Sequence, residues 1–217
     1  MIENEQALIT NKELKKRILE ISYNNRLSHL GSCLTAVDII YEIYQQKRAE
    51  EKFVLSSGHA GLALYTVLEA MGGRNAEEIF KHHGVHPDRC RDCGIDCSTG
   101  SLGQGLPIAV GMALAKRDRN VYCLISDGEC AEGSIWEGLR IKEEQRLENL
   151  KLYFNINGWG AYQRIDSLLL KRRLWEAGIL GEIRETTVEQ LPFLKGQNAH
   201  YKVMDEEDYK EALTWLK

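Results

Sequence analysis

The sequence predicts an α/β fold: a mostly parallel, twisted sheet with helices on both faces. Two apolar runs, Val121–Ile125 and Leu152–Phe154, carry the prediction, since neither alternates with polar residues. Runs of that kind mark strands covered on both sides, as parallel strands are. Between them lies a helix-like stretch, the crossover that parallel neighbours need. Each run is followed by a turn pair, Asp127-Gly128 after the first and Asn157-Gly158 after the second.

The elements follow in chain order. Residues 11–25 place Leu14, Ile18 and Ile21 at helical spacing. A second helix is expected from Thr35 to Gln46, with Thr35 as N-cap and Asp38 in its first turn. Phe53–Ser56 reads as a short buried strand, and the helix after it is closed by Gly72-Gly73. From Lys81 to Gly105 the chain is rich in Gly, His, Cys and Asp and reads as loop. Leu106–Lys116 is expected to be helical, with Pro107 tolerated in the first turn. Ser134–Arg146 supplies the crossover helix. A helix around Ser167–Ala177 and a strand over Glu182–Val188 close the α/β part. The last stretch, from Asp205, reads as an amphipathic helix with Leu213 and Leu216 turned inward. No linker or repeat interrupts this order, so residues 1–217 are expected to form one domain.

Composition narrows the functional classes. Hydrophobic residues at 43% against 28% charged are ordinary for a soluble globular chain. A net charge of −4 gives no reason to expect nucleic acid or an anionic membrane as partner. The opening MIENEQALITNKELKK lacks the apolar core of a signal peptide, and no run is long enough to span a bilayer. Six cysteines, several of them in apolar strands, point to reduced thiols and a cytoplasmic location. An even count is equally compatible with bridges.

The two turn pairs point to a site. A right-handed crossover sets the C-terminal ends of neighbouring parallel strands side by side, and ligands bind open α/β sheets at that edge. Asp127 and Asn157, about thirty residues apart, then bring a carboxylate and an amide oxygen together. Hard oxygen donors of this kind suit Mg²⁺, with Ca²⁺ or Mn²⁺ able to stand in, and leave coordination positions for phosphate oxygens. Either dipeptide alone is an ordinary turn; the pair at this spacing is the informative feature.

The pair resembles the thiamine-diphosphate motif, usually GDG, a spacer and NN. Ser126 stands for its first Gly and Ile156 for its first Asn. Four further segments resemble the thiamine-diphosphate-binding, N-terminal half of transketolases: SHLGS (Ser28–Ser32), FVLSSGHA (Phe53–Ala60), GVHPDR (Gly84–Arg89) and STGSLGQGLPIAVGMALA (Ser98–Ala115). Together these cover roughly residues 10 to 165. The resemblance implies a diphosphate-binding-type thiamine-diphosphate fold. It makes Asp127, Asn157 and the Trp159 carbonyl the metal ligands, and His59, Gly100, Leu102 and Gly128 cofactor contacts. It makes His29 and His86 active-site histidines that exchange protons with a ketose substrate. Glu132 matches an acid at the interface between half-sites. His200 matches a histidine reaching toward the donor substrate, with a surface histidine as the competing reading. Glu129 reads as solvated or hydrogen-bonded rather than metal-bound.

Transketolases carry further domains after this one, including the glutamate that activates the cofactor, and no match to it occurs here. The resemblance therefore implies a split enzyme in which a separate C-terminal subunit supplies the pyrimidine-binding half, two copies of each forming an α2β2 assembly. The face for that partner is expected to be apolar and prone to self-association. After Gly160 the family pattern is compressed, as though one strand-helix unit were absent, so the fold is expected to be shortened at its C-terminal end. The activity implied is two-carbon ketol transfer from a ketose, such as a sugar phosphate, to an aldose. The alternatives are a deoxyxylulose-phosphate synthase, part of a 2-oxo-acid dehydrogenase, and a non-catalytic regulatory subunit.

One motif stands outside this pattern. Cys90, Cys93 and Cys97 follow His82, His83 and His86 closely. These are zinc-ligand residue types with one CxxC pair and no second pair. Free thiols, a redox pair and a zinc site are all open readings.

Overall fold

The computed structural model describes residues 9–179 and 182–216; the first eight residues of the opening read for a leader lie outside them. Among the described residues, four parallel strands run in the order β1 (Lys52–Leu55), β2 (Val121–Ser126), β3 (Leu150–Ile156) and β4 (Glu182–Glu185). The side-chain alternation of the strands splits the core in two. Phe53, Leu55, Tyr122, Leu124 and Tyr153 face one cluster. Val54, Val121, Cys123, Ile125, Leu152, Phe154 and Ile156 face the other.

The first face is covered by α1 (Asn11–Asn24), α2 (Leu30–Gln46), α3 (Gly61–Ala70), α4 (Ala76–His83) and α8 (Glu206–Trp215). The second carries α5 (Gly105–Ala115), α6 (Gly133–Glu144) and α7 (Ser167–Glu176). Helices thus lie on both faces of a parallel sheet, as the apolar runs implied. No helix among the described residues is long and apolar enough to cross a membrane.

Two helices begin where local rules did not place them. Helix α2 starts at Leu30 rather than Thr35, and its N-cap His29 makes no side-chain cap bond. His29 sits in the left-handed region at φ 62°, and its amide donates to the His200 carbonyl at 2.7 Å. The start is therefore fixed by a distant segment, while Thr35 lies inside the helix and donates to the Ser32 carbonyl at 3.0 Å. Helix α4 occupies residues that include the start of the expected loop. Asn75 caps it by accepting from the amides of Glu77 and Glu78, two acids that also suit the helix dipole. At α8 the residue turned fully inward is Ala212; Leu213 and Leu216 are only half-buried.

Candidate active site

The loops after β1, β2 and β3 leave the sheet at the same edge. Asp127 follows β2, and its carboxylate is 1% exposed. One oxygen accepts from the amides of Asn157 and Gly158 at 3.0 and 2.7 Å; the other accepts from Gly128 at 3.0 Å. Burial pushes this carboxyl up to about 6, and the three amides oppose that rise. A Cβ on Gly128 would lie 3.2 Å from Gly160 Cα and 3.8 Å from the Trp159 carbonyl oxygen, so the second loop packs directly against the first. Asn157 Oδ1 accepts from the Trp159 amide at 3.0 Å. The two strand-end loops converge as their spacing suggested.

Beside them lies a cavity of about 170 Å³ with four histidines in its wall, His29, His59, His86 and His200. Gly100, Leu102, Ser126, Gly128, Asn157, Trp159, Gly160, Ala161 and Tyr201 complete the lining. The His29 and His59 rings lie 5.3 Å apart. Burial pushes the His59 imidazole down to about 3, and the neighbouring His29, His200 and His86 add to that shift. His29 and His200 are lowered by burial in the same sense. Neutral pH therefore finds these three as uncharged imidazoles, able to accept or donate a proton at a ring nitrogen. His200 is 6% exposed, and its Nδ1 shares a 2.7 Å hydrogen bond with Ser32 Oγ. The surface reading of His200 is thereby set aside. His29 Nδ1 and His200 Nε2 are buried without a partner.

A family model described as the transketolase thiamine diphosphate binding domain matches residues 17–162. The chain belongs to the transketolase family. It is 35% identical to an apulose-4-phosphate transketolase subunit of Phocaeicola vulgatus, over 75% of this chain and 66% of that one. It is 32% identical to the 6-deoxy-6-sulfo-D-fructose transketolase subunit SqwG of Clostridium sp., over 76% and 68%. Transketolase-like protein 2 of Bos taurus is 34% identical over 61% of this chain, but only 24% of its own length. The crystal structure of the Campylobacter jejuni transketolase superposes on 95% of this chain and 42% of that one, with a TM-score of 0.73 at 21% identity. The chain thus spans about a quarter of a long transketolase-type relative and about two thirds of the relatives named as subunits.

Within this transketolase-family chain, the residues present suit the cofactor that the matched domain is described as binding. Oxygen donors stand at two converging loops, Gly128 permits close backbone approach, and four imidazoles line the adjoining cavity. A Cβ on Gly100 would lie 3.1 Å from the His86 ring, so that glycine also keeps the wall open.

Two acids differ in placement. Glu129 is fully buried and accepts from Ser56 Oγ at 2.7 Å and from the amides of Gly103 and Ser126, both at 3.1 Å. It joins the end of β1, the end of β2 and the loop that carries Gly100 and Leu102. Of the two expected states, solvated or hydrogen-bonded, the structure shows the second, and the clamping of three segments was not expected. Glu132 is exposed at the N-cap of α6, beside Gly103, and is not part of the cavity wall. Ser126 was noted only as standing for the first glycine of the motif, while Gly160, Ala161 and Tyr201 line the cavity without having been given a role in sequence, although Tyr201 adjoins His200. A wider cleft of about 760 Å³ opens past Asn157 toward Arg164, Asp166 and Glu189. None of the histidines lines it, so the smaller cavity is the candidate site.

Proposed function

We propose that this chain is a single diphosphate-binding domain, residues 1–217, that holds thiamine diphosphate through a bridging Mg²⁺ and works as the N-terminal subunit of a split transketolase. The convergence of Asp127 on Asn157 and Gly158 beside the histidine cavity carries this reading. A carboxylate held almost without solvent and bonded only to backbone amides is costly unless a cation joins it. Asp127, Asn157 and the Trp159 carbonyl would hold the metal, which neutralises the diphosphate charge. His59 and Gly128 would meet the diphosphate, and Gly100 and Leu102 the rings of the cofactor.

When bound, thiamine diphosphate supplies the carbanion chemistry that breaks and re-forms the bond beside a ketose carbonyl. The chain's own residues bind, orient and move protons. His29 and His200 place uncharged imidazoles in the cavity wall, suited to a substrate hydroxyl. His86, an exposed residue of the cavity wall, would serve the same proton traffic. Glu132, exposed near the cavity loop, would meet a second subunit rather than the substrate.

The partner is a separate chain with the pyrimidine-binding half, in an α2β2 assembly, and the same face would self-associate when alone. Names of the relatives as transketolase subunits support a separate partner chain. Tyr162, next to the cavity-lining Ala161, is 89% exposed, as a residue awaiting a partner surface would be. The free cysteines fit a cytoplasmic setting. The test mixes the chain with the product of an adjacent gene and follows ketose-to-aldose transfer with thiamine diphosphate and Mg²⁺. Turnover is expected only in the mixture; robust turnover by the chain alone, or cofactor binding without turnover with the partner, would overturn the split-enzyme reading.

A further inference from the structure

A second cluster of ligand-type residues lies behind the loop that carries His86. Helix α4 ends at His83, and Gly84 caps it with φ 73°. Further along, Cys90 and Ile95 pair as an antiparallel bridge, each amide donating to the other's carbonyl at 2.9 Å. Gly94, at φ 77°, permits the tight turn between them. Within this turn the Cys93 amide donates to Cys90 Sγ at 3.2 Å. His83 Nε2 lies 3.4 Å from Cys93 Sγ, and one ligand atom from each of His83, Cys90 and Cys93 lies within 4.8 Å of the others.

These separations suit one ion. Tetrahedral zinc with Zn–S near 2.3 Å and Zn–N near 2.0 Å sets its ligand atoms roughly 3.5 to 3.8 Å apart. Cys90 and Cys93 are both unpaired. Cys97 is excluded from the cluster, since its thiol donates to the Ser98 carbonyl at 3.3 Å and packs in the core on the other sheet face. His86 belongs to the cavity wall instead. Three of the six sequence candidates therefore come together, on two different elements.

We propose that His83, Cys90 and Cys93 bind one zinc ion, with a solvent-facing fourth position. That position is open to water or to the exposed His82 ring, 4.5 Å from that of His83. The ion would clasp the end of α4 to the Cys90–Ile95 turn and so fix both ends of the segment bearing His86. This is a structural role, remote from the reacting atoms, and it does not depend on what the cavity binds.

Metal analysis of the full chain, purified without chelator, tests the proposal directly. One zinc per chain is expected, retained on gel filtration and removed by a strong chelator. The Cys90→Ser and Cys93→Ser variants should fall to background zinc, while Cys97→Ser keeps a full complement. The metal-free wild-type chain loaded with Co²⁺ should show thiolate-to-cobalt charge-transfer absorption, a readout that needs no variant to fold. Absence of zinc together with no charge-transfer band would overturn the site. So would full zinc in both Cys90→Ser and Cys93→Ser, or a mass lower by two hydrogens locating a Cys90–Cys93 disulfide in freshly purified protein.

Discussion

The Asp127 carboxylate accepts a 2.7 Å hydrogen bond from the Gly158 amide, so two neighbouring strand-end loops are joined at a single buried acid. That link preorganises the oxygen donors of both loops, because neither can move without breaking a charge-assisted bond. Catalysis, stability and acid response all depend on the loops joined in this way and on the cavity beside them.

His29 lines the cavity with an uncharged imidazole, and no hydrogen bond among the described residues ties its ring to the Asp127 or Asn157 loops. In the assembled enzyme His29→Ala is expected to lower kcat roughly 100-fold, the scale of a lost proton-transfer group, with cofactor affinity little changed. Steady-state rates and cofactor titration on the same preparation separate the two. A large loss of affinity at unchanged kcat would place His29 in cofactor binding instead.

Removing the Glu129 side chain leaves Ser56 Oγ and the amides of Gly103 and Ser126 without their acceptor in a buried place. Each orphaned donor costs about 1–3 kcal/mol, with partial relief where water can enter. Glu129→Ala is therefore expected to lower stability by at least ~2 kcal/mol in urea unfolding. An unchanged midpoint would show that the three segments are held by other contacts.

His59 gives the chain an acid sensitivity of definite sign. Its imidazole is pushed from the ordinary 6.5 down to about 3, chiefly by burial. As pH falls below 6.5 the unfolded chain takes up a proton that the native chain refuses. Stability from this group is thus complete above 6.5 and is lost progressively toward 3. Between pH 7.5 and 5 the loss is ~2 kcal/mol at most. Unfolding free energies of wild type and His59→Asn at those two pH values should diverge by that order, the variant being flatter. Parallel behaviour would mean that His59 is protonated normally in the native state.

Much of this was legible in the sequence because strands β2 and β3 are buried on both faces and so read as unbroken apolar runs. Their ends then fix where Asp127 and Asn157 must stand. Helix α2 was read five residues short because its start depends on the His29–His200 backbone bond, a contact that no local pattern encodes. Helix α4 buries only Ala76 and Ile79, too little apolar signal to stand out, although Asn75 followed by two glutamates marks its start. The burial of His200 rests on Ser32, 168 residues earlier in the chain. Glu129 shows the same limit, since its partner Ser56 lies 73 residues away. Contacts at such range are set by topology, and a single sequence states the topology only after the sheet order is known.

The most direct measurement is calorimetric titration of thiamine diphosphate into the wild-type chain and Asp127→Ala, each with and without Mg²⁺, with the partner subunit present if the chain alone binds too weakly. The expected result is binding that requires Mg²⁺ in the wild type and is weakened about 100-fold or more in the variant, as loss of a charged metal ligand of ~3 kcal/mol implies. Equal affinity in the two proteins, or wild-type binding indifferent to Mg²⁺, would contradict a metal-bridged diphosphate at the joined ends of β2 and β3.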